Sequence, residues 1–205
     1  MRIGVDIDGV LNYRQEFVLA YGAKFCVDKG IFKGLLDADS HSMRQMYGMT
    51  SEERDEFWYR YAKYQMWVWP AQSFAAEVIR KLREGGHEIY IVTGRNNGDP
   101  RTEGIPDGKS WEEITIDWLE RNGIEYDGIA FDLGRPVPND KGTYCAEHGI
   151  DVMIDDLPEY LETMVGKTQI MIFNQPYNRK VDLPGAIRVY SWYDIYDKIK
   201  KMEAK

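Results

Sequence analysis

Apolar and polar positions along this chain fall into two regimes. Residues 2–6 form a short apolar run that reads as a buried parallel strand. Residues 13–70 then show no period-two alternation, are rich in Tyr, Trp, Phe and Met, and read as helices. Residues 15–26 predict one of these, with turns marked by Gly30, Gly34 and the stretch 37–40. Thr50-Ser51-Glu52-Glu53 is a capping box, because the Thr50 hydroxyl and the Glu53 carboxylate can each satisfy a backbone N–H the helix start leaves open. It predicts a helix over 51–67, stopped by Pro70.

After Ser73 the pattern becomes regular. A helix over 74–84, with Val78, Ile79 and Leu82 on one face, stops at Gly85-Gly86 and leads into a strand at 88–93. Residues 95–109 are polar, with three Gly and two Pro, and predict an irregular loop. Ser110 and Glu113 form a second capping box, opening a helix to residue 122 with Trp111, Ile114, Trp118 and Leu119 inward. A strand at 126–131, a loop at 132–140, a helix at 141–148 closed by Gly149, and a strand at 150–154 follow. Asp156 and Glu159 are the expected caps of the next helix, with Pro158 in its first turn. Strands at 168–173 and 186–190 and a helix capped by Ser191 complete the chain. Strands separated by helices imply right-handed crossovers and an α/β fold with a three-layer, Rossmann-like core and a mainly parallel sheet. The helical stretch after the first strand is too long for one crossover. It reads as a small cap, 13–70, inserted in a core made of 1–12 and 71–205.

Composition narrows the functional classes. With 205 residues, 43% of them hydrophobic and 29% charged, the chain suits one well-buried domain with an insertion. No apolar run reaches membrane-spanning length and no signal peptide precedes the first strand, so a cytoplasmic protein without membrane contact is expected. Thirty-four acids against 26 bases give a net charge of −8, which argues against nucleic-acid polymers as partners. Cys26 and Cys145 are too isolated for a disulfide framework or a zinc site and read as small core residues. His41, His87 and His148 lack metal-ligand spacing. Oligomeric state and physiological role are not encoded in these patterns.

Candidate chemistry gathers at the strand ends. Asp6-Ile7-Asp8, Thr93-Gly94-Arg95, Lys141 and Asp155-Asp156 each fall at or just past the end of a predicted strand, or at the start of the helix after it. Each alone has an ordinary explanation as a polar strand exit or helix cap. In a parallel sheet, however, these ends share one edge, and the groups converge. Converging carboxylates repel one another unless a cation sits among them, and a hard oxygen-liganded ion such as Mg²⁺ meets that need. A phosphate can then approach Asp6 as nucleophile, with Asp8 placed for acid–base work and Thr93 and Lys141 for the phosphate oxygens.

The set DIDGV (6–10), IVTGR (91–95), Lys141 and IDDLP (154–158) resembles the four motifs of the haloacid dehalogenase superfamily of phosphotransferases across the whole chain. The resemblance implies Asp6 as nucleophile, Asp8 as acid–base catalyst with its backbone carbonyl on Mg²⁺, and Thr93, Gly94 and Lys141 around the phosphate. Asp155 or Asp156 would complete the metal site. An aspartate at position 8 resembles the phosphatase branch. The helical cap, IDDLP and the Asn174-Gln175-Pro176-Tyr177-Asn178 loop are similar to the 5′(3′)-deoxyribonucleotidases and their bacterial relatives. Animal members carry Thr-Ser-Pro where this chain has Thr93-Gly94-Arg95. The substrate this implies is a small phosphorylated molecule, a nucleoside monophosphate; the same motifs would serve a sugar-phosphate phosphatase. A catalytically silent phosphate-binding protein would be expected to have lost a motif residue, and none is lost.

For substrate contact, the sequence offers Arg95, whose guanidinium can fork onto phosphate or pair with an acid. The cap rings offer stacking faces, Phe17 and Tyr21 among them, although most such rings serve packing.

Overall fold

The computed structural model describes residues 1–96, 109–133 and 140–204. Its centre is one sheet of β1 (Arg2–Val5), β2 (Glu88–Val92), β3 (Gly128–Ala130), β4 (Val152–Asp155), β5 (Gln169–Phe173) and β6 (Ile187–Val189). The strands lie in the order β3-β2-β1-β4-β5-β6, and every neighbouring pair is parallel. The expected mainly parallel sheet is therefore wholly parallel among the described residues.

The strand order matters for the site. The chain moves outward from β1 to β3, then returns to place β4 on the other side of β1. At such a reversal the crossovers leave in opposite directions and open a crevice beyond the strand ends. Val5 is opposite both Ile91 and Ile154 in register, and the Asp6 backbone N–H donates to the Ile154 carbonyl at 3.0 Å. The first acid is thus fixed where the crevice begins.

Both faces of the sheet are covered, which explains why the strands read as apolar runs. On one face Ile3, Val5, Ile89 and Ile154 pack with Val78, Ile79 and Leu82 of α4 (Ala75–Glu84), Trp118 of α5 (Trp111–Arg121), and Ile195 and Ile199 of α8 (Trp192–Glu203). On the other, Val92, Met153 and Ile172 pack with Cys145 of α6 (Lys141–His148) and Leu161 and Met164 of α7 (Pro158–Met164). Each fully buried Ile, Leu or Val contributes about 1.5–3 kcal/mol. Both cysteines are buried free thiols, as expected.

Between β1 and α4 the chain forms α1 (Arg14–Asp28), α2 (Met43–Tyr47), α3 (Ser51–Lys63) and a π-helical turn, Tyr64–Val68. These close on their own cluster around Phe17, Phe25, Met46 and Phe57, joined by Trp111 and Ile114 of α5. The two ends of this segment meet: Asn12 and Ala71 form an antiparallel bridge, and the Gln72 N–H donates to the Leu11 carbonyl at 2.7 Å.

Three local features differ from the sequence reading. The expected helix over 51–67 keeps α geometry only to Lys63, because the Trp69 N–H reaches back five residues to the Tyr64 carbonyl at 2.7 Å. The α2 turn follows a stretch that reads only as turns. Asp156 does not cap α7: Leu157 holds the N-cap position without a side-chain bond, and Asp155 Oδ1 takes the N–H groups of Asp156 and Leu157 at 2.8 and 3.0 Å. Both capping boxes, at Thr50/Glu53 and Ser110/Glu113, are present. The loops expected over 95–109 and 132–140 fall largely outside the described residues.

Candidate active site

Lys141 sits where the motifs meet. Asp140 caps α6 by accepting from the Thr143 N–H at 2.9 Å, which sets Lys141 as the first helical residue. Gly142 follows, and a Cβ there would collide with the Thr163 backbone, so only glycine lets α6 lie this close to α7. The lysine is fully buried, and its Nζ donates to Asp6 Oδ1 at 2.7 Å and to Asp155 Oδ2 at 2.6 Å. Burial works against the Lys141 charge, but Asp155 and Asp6 outweigh it and hold the ammonium well above the usual lysine range. One cation therefore ties the end of β1 to the end of β4.

Two carboxylates for one ammonium leave negative charge unbalanced. Burial pushes the Asp6 carboxyl up to about 7, Lys141 pulls against it, and Asp155 and Asp8 push it further. Burial also raises Asp156, with Asp155 and Asp6 adding repulsion. Ligand oxygens of buried Asp6, Asp155 and Asp156 lie within 4.8 Å of one another. An all-oxygen set of this kind, overcharged and held together, fits a hard divalent cation such as Mg²⁺.

Asp8 has a different environment. Its Oδ1 accepts from Asn12 Nδ2 at 2.8 Å, Gln65 Nε2 at 2.6 Å and Arg95 Nη2 at 2.6 Å, and its Oδ2 accepts from Arg95 Nε at 2.9 Å. Burial alone would raise this carboxyl, yet Arg95 and Asn12 hold it well below the usual carboxylate range. Arg95 is itself buried and oriented by Thr115 Oγ1 at 3.2 Å. Of the two roles the sequence allows it, the structure has Arg95 paired with an acid, and that acid is Asp8.

The loop after β5 braces both acid-bearing turns. Gln175 Nε2 donates to the Gly9 carbonyl at 2.7 Å, Asn178 Nδ2 donates to the Asp156 carbonyl at 2.7 Å, and the Tyr177 hydroxyl donates to Asp156 Oδ2. Gly9 has φ +92°, and a Cβ there would strike the Asp156 carboxylate. Only glycine lets the two turns approach this closely.

A cleft of about 210 Å³ opens above these groups. Asp6, Asp8, Thr93, Gly94, Arg95 and Asp156 all line it, while Lys141 and Asp155 lie fully buried and reach Asp6 by the bonds above. Thr93 is buried, and its Oγ1 accepts from the Arg95 N–H at 3.2 Å. Phe17 and Tyr21 are packed elsewhere. Phe17 is fully buried, stacked on Tyr21 at 4.4 Å and edge-on to Trp69 at 5.1 Å, so both rings are occupied in the helical cluster. The rings that line the cleft are Trp58, Trp111 and Tyr160.

Sequence reasoning assigned none of Arg14, His41, Gln65, Trp111 and Tyr177 to the site. His41 lines the cleft as a neutral imidazole, pushed down to about 2 by burial and by the Arg14 charge. Gln65 is the buried residue of the π turn and reaches Asp8 from there. No spacing rule would have found either. Arg14, six residues after Asp8 and opening α1, carried a weak positional signal.

A parallel sheet with this strand order and an acid cluster at its β1–β4 crevice is a haloacid dehalogenase-like fold. Solved structures of that fold agree. A haloacid dehalogenase family hydrolase of Deinococcus radiodurans, with bound phosphate and sodium, is similar at a TM-score of 0.64 and 16% identity, covering 98% of this chain and 96% of that one. A haloacid dehalogenase-like hydrolase of Streptococcus pneumoniae is similar at 0.63 and 14%, covering 97% of each. More narrowly, the chain belongs to the family described as 5′ nucleotidase, deoxy (pyrimidine), cytosolic type C, which it matches over residues 1–205. A candidate nucleotidase of Bacillus cereus is 30% identical over 98% of this chain and 99% of its own length. A candidate 5′(3′)-deoxyribonucleotidase of Chlorobaculum tepidum is 25% identical over 97% and 89%. The protein is thus a phosphatase of the nucleotidase group. Among the described residues, no helix is long and apolar enough to cross a membrane.

Proposed function

We propose that the protein is a Mg²⁺-dependent phosphomonoesterase that hydrolyses nucleoside monophosphates through an aspartyl-phosphate on Asp6. The observation that carries this reading is the Lys141 clasp between Asp6 and Asp155, within a buried acid cluster of which Asp6 and Asp156 line the cleft. Lys141 occupies Asp6 Oδ1 and fixes the carboxylate, and among the described residues Oδ2 has no hydrogen-bond donor. That oxygen attacks phosphorus as the bond to the alcohol oxygen breaks. Asp8 acts as the acid in its protonated form, which requires the Arg95 fork that holds it low to loosen as substrate binds. It then gives that proton to the departing alkoxide and takes one back from the water that hydrolyses the aspartyl-phosphate. The Thr93 hydroxyl and the backbone near Gly94 hold the phosphate oxygens, and Lys141 lowers the negative charge around them.

Asp6, Asp156 and the Asp8 backbone carbonyl are the groups proposed to hold Mg²⁺. Both Asp155 oxygens are already engaged by Lys141 and two backbone N–H groups, which suits it to bracing the site. When bound, the ion supplies positive charge that lets a phosphate dianion approach a carboxylate nucleophile. The helical segment 13–70, whose ends meet at Asn12 and Ala71, acts as the cap that chooses the alcohol. Nucleotide preference is drawn from the family.

A panel of nucleoside monophosphates, sugar phosphates and small phosphorylated acids, assayed for phosphate release with Mg²⁺ and with chelator, tests the reading. Nucleotide hydrolysis that stops with chelator is expected. Sugar phosphates hydrolysed while nucleotides are ignored would overturn the substrate assignment, and turnover unaffected by chelator would overturn the metal requirement.

A further inference from the structure

Arg14 is a cation the proposed chemistry does not use. Lys141 is shared by Asp6 and Asp155, and Arg95 is forked onto Asp8, but Arg14 has no ion pair among the described residues. It opens α1, lines the cleft with Asp6 and Asp8, and holds its guanidinium 5.6 Å over the Trp58 ring, a cation–π contact. Its Nη1 is buried without a hydrogen-bond partner among the described residues. A second, independent group shares this condition. Trp111 opens α5, comes from a different part of the chain, is 2% exposed and lines the same cleft, and its Nε1 also lacks a partner among the described residues. Buried N–H groups are nearly always paired in folded proteins, so two orphans around one cleft mark a place where a ligand completes the bonding.

We propose that Arg14 and Trp111 form a donor-only subsite for acceptor oxygens on the alcohol portion of the substrate, with the Trp58 ring as its floor. This rests on the reading of Asp6 as the phosphate-attacking residue. Guanidinium and indole groups donate and cannot accept, so the subsite takes oxygen lone pairs, either the keto oxygens of a nucleobase or the carboxylate of a phosphorylated hydroxy acid. It penalises an alcohol that offers neither, because both donors then stay buried and unpaired.

The test measures kcat/KM of the full chain with Mg²⁺ for deoxyuridine monophosphate, a phosphorylated hydroxy acid and phenyl phosphate, which has no acceptor on its alcohol. Arg14→Met is expected to lower the ratio of an acceptor-bearing ester to phenyl phosphate by on the order of 10- to 100-fold, the usual range for losing a charged hydrogen bond. The ester that suffers identifies the source of the oxygen. Trp111→Phe keeps the ring, removes the donor, and is expected to shift the same ratio by a smaller factor. It also carries the test should Arg14→Met fail to fold. Equal losses on all three esters, or none, would overturn the subsite. If the wild type hydrolyses none of the three, the reading at Asp6 fails on its own. Tryptophan fluorescence titration with deoxyuridine and the free hydroxy acid then decides the subsite: binding weakened by Arg14→Met supports it, and no binding overturns it.

Discussion

Asp6 and Asp8, two residues apart, lie in opposite electrostatic environments. Burial, with repulsion from Asp155 and Asp8 added and Lys141 pulling against both, pushes the Asp6 carboxyl up to about 7, while Arg95 holds Asp8 low. The sign of the resulting pH effect follows from linkage. An unfolded Asp6 loses its proton near 3.8 and the folded one near 7, so its contribution to stability is complete below 3.8 and disappears as pH rises through 7. Asp156 acts in the same sense, and Asp8 in the opposite sense, with its stabilising contribution lost as pH falls below the ordinary carboxylate range. In chelator, thermal melts are expected to show stability falling from about pH 5 to about pH 8, with the slope reduced in Asp6→Asn. A flat profile in the wild type would contradict the unbalanced acid cluster. Lys141→Met is expected to cost about 3–5 kcal/mol in urea unfolding and to abolish turnover, because it leaves two buried carboxylates without a cation.

At the scale of elements, the sequence was informative wherever local chemistry decides structure. Both capping boxes and the Gly149 stop were legible because each depends on residues a few positions apart. The π turn was not, since nothing in Tyr64-Gln65-Met66-Trp67-Val68 distinguishes a reach of five residues from a reach of four. Its consequence is functional, because Gln65 is carried to Asp8 at 2.6 Å from the helical segment. Gln65→Ala is expected to lower kcat by about 10-fold with helix content unchanged, and to hurt poor leaving groups more than an activated aryl ester, which needs little proton donation. Equal kcat values for wild type and variant would contradict this positioning role. Asp155 and Asp156 show the same division. The pair was legible as site residues, but its partition into one acid bound to Lys141 and one facing the cleft depends on β4 lying beside β1.

Across the whole molecule, sheet order converts four separate motifs into one site. The acids at 6, 8, 155 and 156 converge because β4 crosses back beside β1, and that convergence follows from parallel strands, so the place of the candidate site was legible. The substrate wall was not. Phe17 lies inside the helical cluster with Tyr21 packed against it, whereas Trp58 and Trp111, from segments far apart in sequence, meet at the cleft. Ring content alone cannot tell a packed aromatic from a lining one. The whole arrangement serves the claim that Asp6 carries the phosphoryl group. Its most direct test is an acid-quenched single turnover with a nucleoside monophosphate, followed by mass spectrometry of the N-terminal peptide. A hydroxylamine-labile phosphoryl group on Asp6, absent from Asp6→Asn, is the expected result. Turnover with Asp6 never labelled, or Asp6→Asn retaining wild-type activity, would contradict the account.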